Sequence, residues 1–172
     1  MTERVTPVSR ESAGLPGLES LVAEHYERLL RAAVLICRDH ADAEDAVQMA
    51  LERAWRHASS LRDPDRLPAW LRRIVVREAL RLERRRSGLL ARWFAPPRGI
   101  EIDPAARAGE DPAVREALDR LPAEQRAAVV LHHLEGFSVA ETADVLGVPL
   151  ETARSRLRMA RDRLRAALGE PT

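Results

Sequence analysis

The stretch "SVAETADVLGVPLETARSRLRMARDRLRAAL", from Ser138 to Leu168, constrains the fold more than any other part of the chain. It holds two helical patterns on either side of a break at "LGVP". Ser138, with Glu141 three residues later, forms a capping box for the first helix. Gly147 ends that helix, and Pro149 opens the next, since a fixed φ suits a first helical turn. Ala140, Ala143 and Leu146 share one face of the first helix. On the second, Ala153, Leu157, Ala160, Leu164 and Leu168 follow the spacing of a buried stripe. Two helices joined by a short glycine-containing turn make a helix-turn-helix.

The second helix carries six arginines between Arg154 and Arg165, against Glu151 and Asp162. Arg154, Arg158, Arg161 and Arg165 run as a cationic stripe beside the apolar one, with Arg156 and Arg163 on the other flank. Arginines beside an apolar stripe can simply lay their stems over a core edge. A solvated helix, however, usually pairs acid with base one turn apart. The excess of positive charge fits a helix that reads DNA, with Thr152, Arg154, Ser155 and Arg158 at base edges and Arg161 further along.

The net charge of +1 gives no global argument for nucleic acid, so the distribution of charge has to carry it. All 28 basic residues are arginine, which suits bidentate phosphate contacts but also fits an arginine-rich genome. Hydrophobic residues at 45% and aromatics at 3% fit a folded chain of alanine- and leucine-rich helices. Cys37, the lone cysteine, excludes an intrachain disulfide, fits a reducing cytosol and reads as a small buried hydrophobe. "CRDH" offers Cys37 and His40 to a metal but no second pair, and no cofactor is expected. There is no apolar stretch long enough to span a membrane, and the first residues lack the apolar core of a signal peptide, so a cytoplasmic protein without membrane insertion is expected.

Along the chain, residues 1–17 read as a polar tail. A helical pattern follows from Leu18 to Cys37, and "DHAD" interrupts it. Asp42, with Asp45 three residues on, resembles a shortened capping box for a second helix. "SSLRDPDRLP" is a loop, and Pro68 sits in the first turn of a third helix. Residues 87–112 hold four prolines and three glycines without a sustained period, which reads as a linker. Trp93 and Phe94 within it either dock on a partner or cover part of a core. The fold class is all-α: two small helical domains, residues 18–86 and 113–168, joined by that linker.

The third helix places Arg72, Arg73, Arg77, Arg81, Arg84, Arg85 and Arg86 against Glu78 and Glu83. The second helix is opposite in sign, with Asp39, Asp42, Glu44, Asp45 and Glu52. Either the two helices pair with one another, or they serve two partners, a basic protein surface and a nucleic acid.

"DAEDAVQMALERAW", "LPAWLRRIVVREALRLERRR" and "LDRLPAEQRAAVVLHHLEGFSVAETADVLGVPLETARSRLRMARDRLRAAL" resemble, in this order, an extracytoplasmic-function (group IV) sigma factor of bacterial RNA polymerase, a branch of the sigma-70 family. The resemblance covers roughly Leu18 to Arg86 and Val114 to Leu168. It implies a sigma-2 domain, a sigma-4 domain, no sigma-3, and two partners, core RNA polymerase and promoter DNA; an anti-sigma factor commonly holds such proteins inactive. By resemblance, the second helix docks on the clamp helices of the polymerase through Asp45, Gln48 and Glu52, with Leu51 and Trp55 as apolar companions. Trp55 is equally well placed to be core. The loop and third helix hold a flipped base of the minus-ten element, with Arg62, Arg66, Trp70, Arg73 and Arg77 as candidates. Extruding a base costs a few kcal/mol, which a pocket and a cationic groove must offset. The helix-turn-helix reads the minus-thirty-five element, where arginine can pair a guanine edge. Trp93, Phe94, Glu101 and Asp103 resemble a segment threaded through the active-site cleft.

Three positions depart from the family pattern. Met49 replaces a usual Glu, Arg77 a frequent Asn, and Thr142 a usual apolar residue, whose hydroxyl is expected to bond back to the helix backbone. Two other functions compete. A helix-turn-helix regulator working without polymerase would leave the acidic and basic helices unexplained. A recombinase would need a nucleophile on a folded domain, and Ser9 and Ser12 lie in the tail. His132 and His133 point about 100° apart and form no metal pair alone, and one of them is expected in the core. No catalytic constellation appears, so an enzyme is not expected.

Overall fold

The computed structural model describes residues 18–57, 66–87 and 111–169, all of whose regular elements are helical. The tail at 1–17, Arg62 and the linker aromatics Trp93 and Phe94 lie outside the described residues.

Helices α1 (Leu18–Cys37), α2 (His40–Arg56) and α3 (Leu67–Ser87) pack on one another as an N-terminal unit. Each gives its apolar stripe to a common core: Leu29, Ala33, Val34 and Cys37 from α1, Ala43, Ala46, Val47, Ala50 and Ala54 from α2, and Leu71, Val75, Val76 and Ala79 from α3. Burying one leucine or valine in this way contributes about 1.5–3 kcal/mol. The Cys37 thiol is fully buried and donates to the carbonyl of Ala79, and burial pushes its pKa up, so it is inert rather than reactive.

The junction of α1 and α2 differs from the sequence expectation. The N-cap of α2 is Asp39, which accepts from the backbone N–H of Asp42 at 3.0 Å. Asp42 is already inside the first turn. The helix restarts early because Arg38 takes a left-handed conformation, φ 58°, unusual for a residue with a Cβ. Its guanidinium is anchored far away in sequence, on the carbonyl of Asp119 at 3.1 Å and on Glu83 at 3.3 Å.

The C-terminal unit comprises α4 (Pro112–Asp119), α5 (Ala123–Val129), α6 (Val139–Leu146) and α7 (Leu150–Leu168), with α4, α5 and α6 each packed on α7. Asp111 caps α4 through Ala113 N–H, and Pro112 occupies its first turn, as expected of a residue whose missing N–H would have no partner there. A π-helical turn, Val130–Leu134, extends α5. Beyond it, Phe137 N–H returns to the carbonyl of Leu131, and His132 Nδ1 donates to the carbonyl of Phe137 at 2.7 Å. His132 is half-buried and His133 exposed, so neither is a core histidine.

The two units close on each other. α3 packs against α5 and α6, and α1 against α5 and its π turn, so that one apolar cluster runs through both.

Candidate polymerase and nucleic-acid interfaces

α2 turns Ala43, Ala46, Val47, Ala50 and Ala54 inward, which leaves Asp45, Gln48, Glu52 and Trp55 on one exposed face with Leu51 half-buried beside them. Trp55 is 42% exposed and is therefore not a core residue. The carboxylates of α2 split in two. Asp39 and Asp42 pair with Arg86 of α3 at 3.3 and 2.7 Å, so helix pairing accounts for these two. Asp45 projects into solvent, and Glu52 makes only a loose exposed pair with Arg56 at 3.7 Å. The five residues singled out for polymerase contact thus lie together.

The arginines of α3 are not an open cationic face. Arg81 pairs with the buried Glu78 at 3.3 Å, where Arg53 of α2 also binds at 2.6 Å. Arg86 is held by α2, and Arg72, Arg73, Arg77 and Arg84 reach across to the C-terminal unit. Arg72 lies 3.6 Å from Glu135, and Arg73 lies 3.2 Å from Glu141. Both guanidinium groups also sit over the Phe137 ring, at 5.7 and 5.6 Å. Arg77 donates to the carbonyls of Asp144 and Val145, at 2.9 and 3.0 Å, where α6 ends and carbonyls lack helical partners. Arg84 donates to Glu124 at 2.6 Å, a bond that holds the Glu124 carboxyl below its ordinary pKa. Arg28 of α1 joins Arg72 on Glu135, at 3.1 Å. Of the minus-ten candidates, Arg73 and Arg77 therefore face α6, Trp70 packs half-buried on the core, and Arg66 is exposed.

At the centre of this seam lies Arg126 of α5, 1% exposed. It donates to the carbonyl of Ile36 at 2.7 and 3.2 Å, to that of Leu121 at 2.8 Å, and to Glu83 at 2.9 Å. Burial lowers its pKa, and the Glu83 carboxylate opposes that shift. Sequence reasoning passed over Arg126, Glu124 and Glu135. The available signal was an arginine set inside the apolar run "AEQRAAVVL", a position that only a buried acceptor set makes tolerable.

The helix-turn-helix forms as the sequence indicates. Ser138 Oγ accepts from Glu141 N–H at 3.2 Å, and Glu141 Oε2 accepts from Ser138 N–H at 3.0 Å. These bonds from Ser138 hold the Glu141 carboxyl below its ordinary pKa, with Arg73 adding to the effect. Gly147 closes α6 at φ 66°. Within α6 the buried face is Thr142, Ala143, Val145 and Leu146, while Ala140 is exposed. Thr142 is fully buried, and its hydroxyl makes no hydrogen bond, so the expected back-bond is absent.

On α7, Ala153, Leu157 and Ala160 are buried, Leu164 is half-buried and Leu168 is exposed, because the helix runs on beyond the unit it packs against. Its arginines have two fates. Arg156 pairs with Glu124 at 2.9 Å and Arg163 donates to Gln125 at 3.1 Å, so this flank ties α7 to α5. Arg154, Arg158, Arg161 and Arg165 stand exposed on the other side; Arg154 pairs with Glu151 at the helix start. Thr152 and Ser155 are half-exposed near the same end. Among the described residues no group of three or more His, Cys, Asp or Glu could hold a metal, and no helix is long and apolar enough to cross a membrane.

Residues 21–88 match the family model of sigma-70 region 2, and residues 112–164 match that of sigma-70 region 4. The chain is 41% identical over 153 residues to the ECF RNA polymerase sigma factor SigM of Mycobacterium tuberculosis, covering 88% of this chain and 76% of that protein. It is 32% identical over 174 residues to SigL of the same organism, covering 97% and 96%. Among solved structures, it resembles the sigma factor RpoE bound to the anti-sigma factor NepR from Bartonella quintana, with a TM-score of 0.71 and 29% identity over 90% of this chain and 98% of that one. It also resembles CnrH in complex with the cytosolic domain of CnrY, with a TM-score of 0.64 and 29% identity over 94% and 93%.

Proposed function

We propose how the surfaces of this chain, which belongs to the extracytoplasmic-function sigma factors of the sigma-70 family, divide the work of starting transcription. The chain is a sigma factor that serves RNA polymerase in promoter recognition. A helix-turn-helix regulator working without polymerase is not favoured, since it leaves the match to region 2 without a role. Residues 18–86 act as the sigma-2 domain, 87–112 as the linker and 113–168 as the sigma-4 domain. The bond-making chemistry belongs to the polymerase, so the factor itself is no enzyme, and it works in the cytoplasm, where polymerase and promoter meet.

The observation that carries the polymerase-binding assignment is the exposed face of α2. An indole 42% exposed beside carboxylates that no other helix engages is costly to leave in water, and a basic partner surface that covers it would remove that cost. Asp45, Gln48 and Glu52 provide the polar contacts there, and Leu51 and Trp55 the apolar ones. Arg66, Trp70, Arg73 and Arg77, with Arg62 from the loop, take the minus-ten strand. Thr152, Arg154, Ser155 and Arg158 read the minus-thirty-five groove, with Arg161 on phosphate. An anti-sigma factor, as in the RpoE complex, is a further partner. Reversing Asp45 and Glu52 to Arg should weaken holoenzyme assembly in a pull-down with core polymerase while the circular dichroism spectrum stays unchanged. Undiminished assembly would refute the α2 assignment.

A further inference from the structure

The seam between the units is built from opposite charges in a particular arrangement. On the α3 side stand Arg72, Arg73, Arg77 and Arg84, two of them assigned above to the minus-ten strand. On the other side, apart from the Phe137 ring under Arg72 and Arg73, the groups that meet them are anionic or carbonyl oxygens: Glu135, Glu141, the carbonyls of Asp144 and Val145, and Glu124. These are the acceptors that a guanidinium would otherwise find in a phosphate backbone. We infer that the C-terminal unit is an internal stand-in for DNA phosphates on α3, so that closure of the chain on itself and binding of single-stranded DNA compete for the same arginines. This rests on the reading of α3 as the minus-ten face.

Two further features fit a seam made to open. Beside the apolar cluster that runs through both units, the seam buries polar members, Arg126, Glu83 and the Ile36 carbonyl, and each regains water when the units part. A buried ion pair recovers hydration on separation, so this part of the seam holds the units less firmly than apolar contacts of similar size would. Closure is also one-sided. Arg154, Arg158, Arg161 and Arg165 of α7 remain exposed and face away from the seam, while Arg72, Arg73, Arg77 and Arg84 of α3 have their guanidinium groups engaged by the C-terminal unit. The closed chain thus withholds the surface needed only after strands separate and leaves free the surface that meets duplex DNA first.

Salt separates this arrangement from an ordinary DNA face. Added salt weakens the contacts to DNA and weakens closure too. Affinity of the closed chain for an oligonucleotide should then fall less steeply with salt than that of a chain already open.

The test uses the full chain with dyes on Ala41→Cys and Ala166→Cys, both exposed positions in different units, while the buried Cys37 escapes labelling. The triple variant Glu124→Gln, Glu135→Gln, Glu141→Gln alters only the C-terminal side of the seam. It should lose energy transfer and bind a fluorescent oligo-dT about 5- to 20-fold more tightly, because apparent affinity scales with the fraction of open chain. Its salt dependence should be steeper than that of the parent. In the parent chain, saturating oligo-dT should itself abolish transfer, an arm that needs no variant to fold. Transfer that persists at saturation overturns the proposal, as does a variant that opens without any gain in affinity. Arg73→Ala and Arg77→Ala, placed in the opened variant, test the α3 assignment separately. Unchanged oligonucleotide affinity there refutes the minus-ten face, while transfer in the DNA-free chain still reports on closure.

Discussion

Replacing Arg126 with methionine keeps most of the side-chain volume and removes a cation that donates to Ile36, Leu121 and Glu83. Two buried carbonyls and a carboxylate then lose their donor. Removing one partner of a buried ion pair costs about 3–5 kcal/mol. Two features of the site place this case at the lower end. Arg38 stays on Glu83 at 3.3 Å, so the carboxylate is not left wholly unpaired. The desolvation that lowers the pKa of Arg126 also disappears with the cation. We therefore expect a loss of about 3 kcal/mol, or a fall in Tm of roughly 6–12 °C at about 2–4 °C per kcal/mol for a chain of this size. Glu83→Gln in the same background should recover part of this, since the methionine no longer faces a charge, giving a coupling energy of about 2 kcal/mol. Urea unfolding of the parent, both single variants and the double variant, followed by circular dichroism, completes the cycle. Additivity within about 0.5 kcal/mol would show that Arg126 and Glu83 do not act as a pair and would refute the reasoning.

Thr142→Val removes a buried hydroxyl that has no hydrogen-bond partner and keeps its shape, so it should stabilise the chain by about 1 kcal/mol; a lower Tm would mean that the hydroxyl is satisfied. Glu124 sits below the ordinary carboxylate value of 4.5, chiefly through its bond to Arg84, so its contribution to the seam is complete above that pH and is lost as pH falls through its depressed value; Glu141 is lowered mainly by Ser138 within its own capping box, with Arg73 adding less. The dye-labelled chain should stay closed at about pH 5.5 to 7, above the carboxylate range, and open on further acidification below 4.5, and opening already at neutral-to-mildly acidic pH would point to a histidine instead. Arg154→Ala and Arg158→Ala should each relax base preference at one upstream position at a cost of roughly 1–3 kcal/mol in binding. Arg161→Ala and Arg165→Ala should weaken all promoters alike and lower the salt slope by about one unit per contact. Holoenzyme binding to a library of upstream elements distinguishes the two classes, and unchanged preference in both Arg154→Ala and Arg158→Ala refutes the reading helix.

Local chemistry explains which of these features can be read without coordinates. The capping box at Ser138, the stop at Gly147 and the stripe through Ala153, Leu157 and Ala160 depend on residues within one or two turns of each other, and each appears where its pattern lies. The cap of α2 depends instead on the left-handed turn at Arg38, which is held by Asp119 and Glu83 from far along the chain, so the local pattern at Asp42 does not locate it. Arginine is the extreme case. All 28 cations are the same residue, so composition and periodicity give their number and spacing but not their partners. Three fates follow from position alone: solvent for Arg158 and Arg161, a carboxylate or carbonyl of the other unit for Arg73 and Arg77, and full burial for Arg126. The net charge of +1 has a corresponding meaning. It does not count against a nucleic-acid partner, because acids of the C-terminal unit neutralise arginines of the N-terminal one. A chain that screens its own cationic face in this way has low attraction for DNA at large and regains it where a competing polyanion, or a partner drawing the units apart, exposes that face.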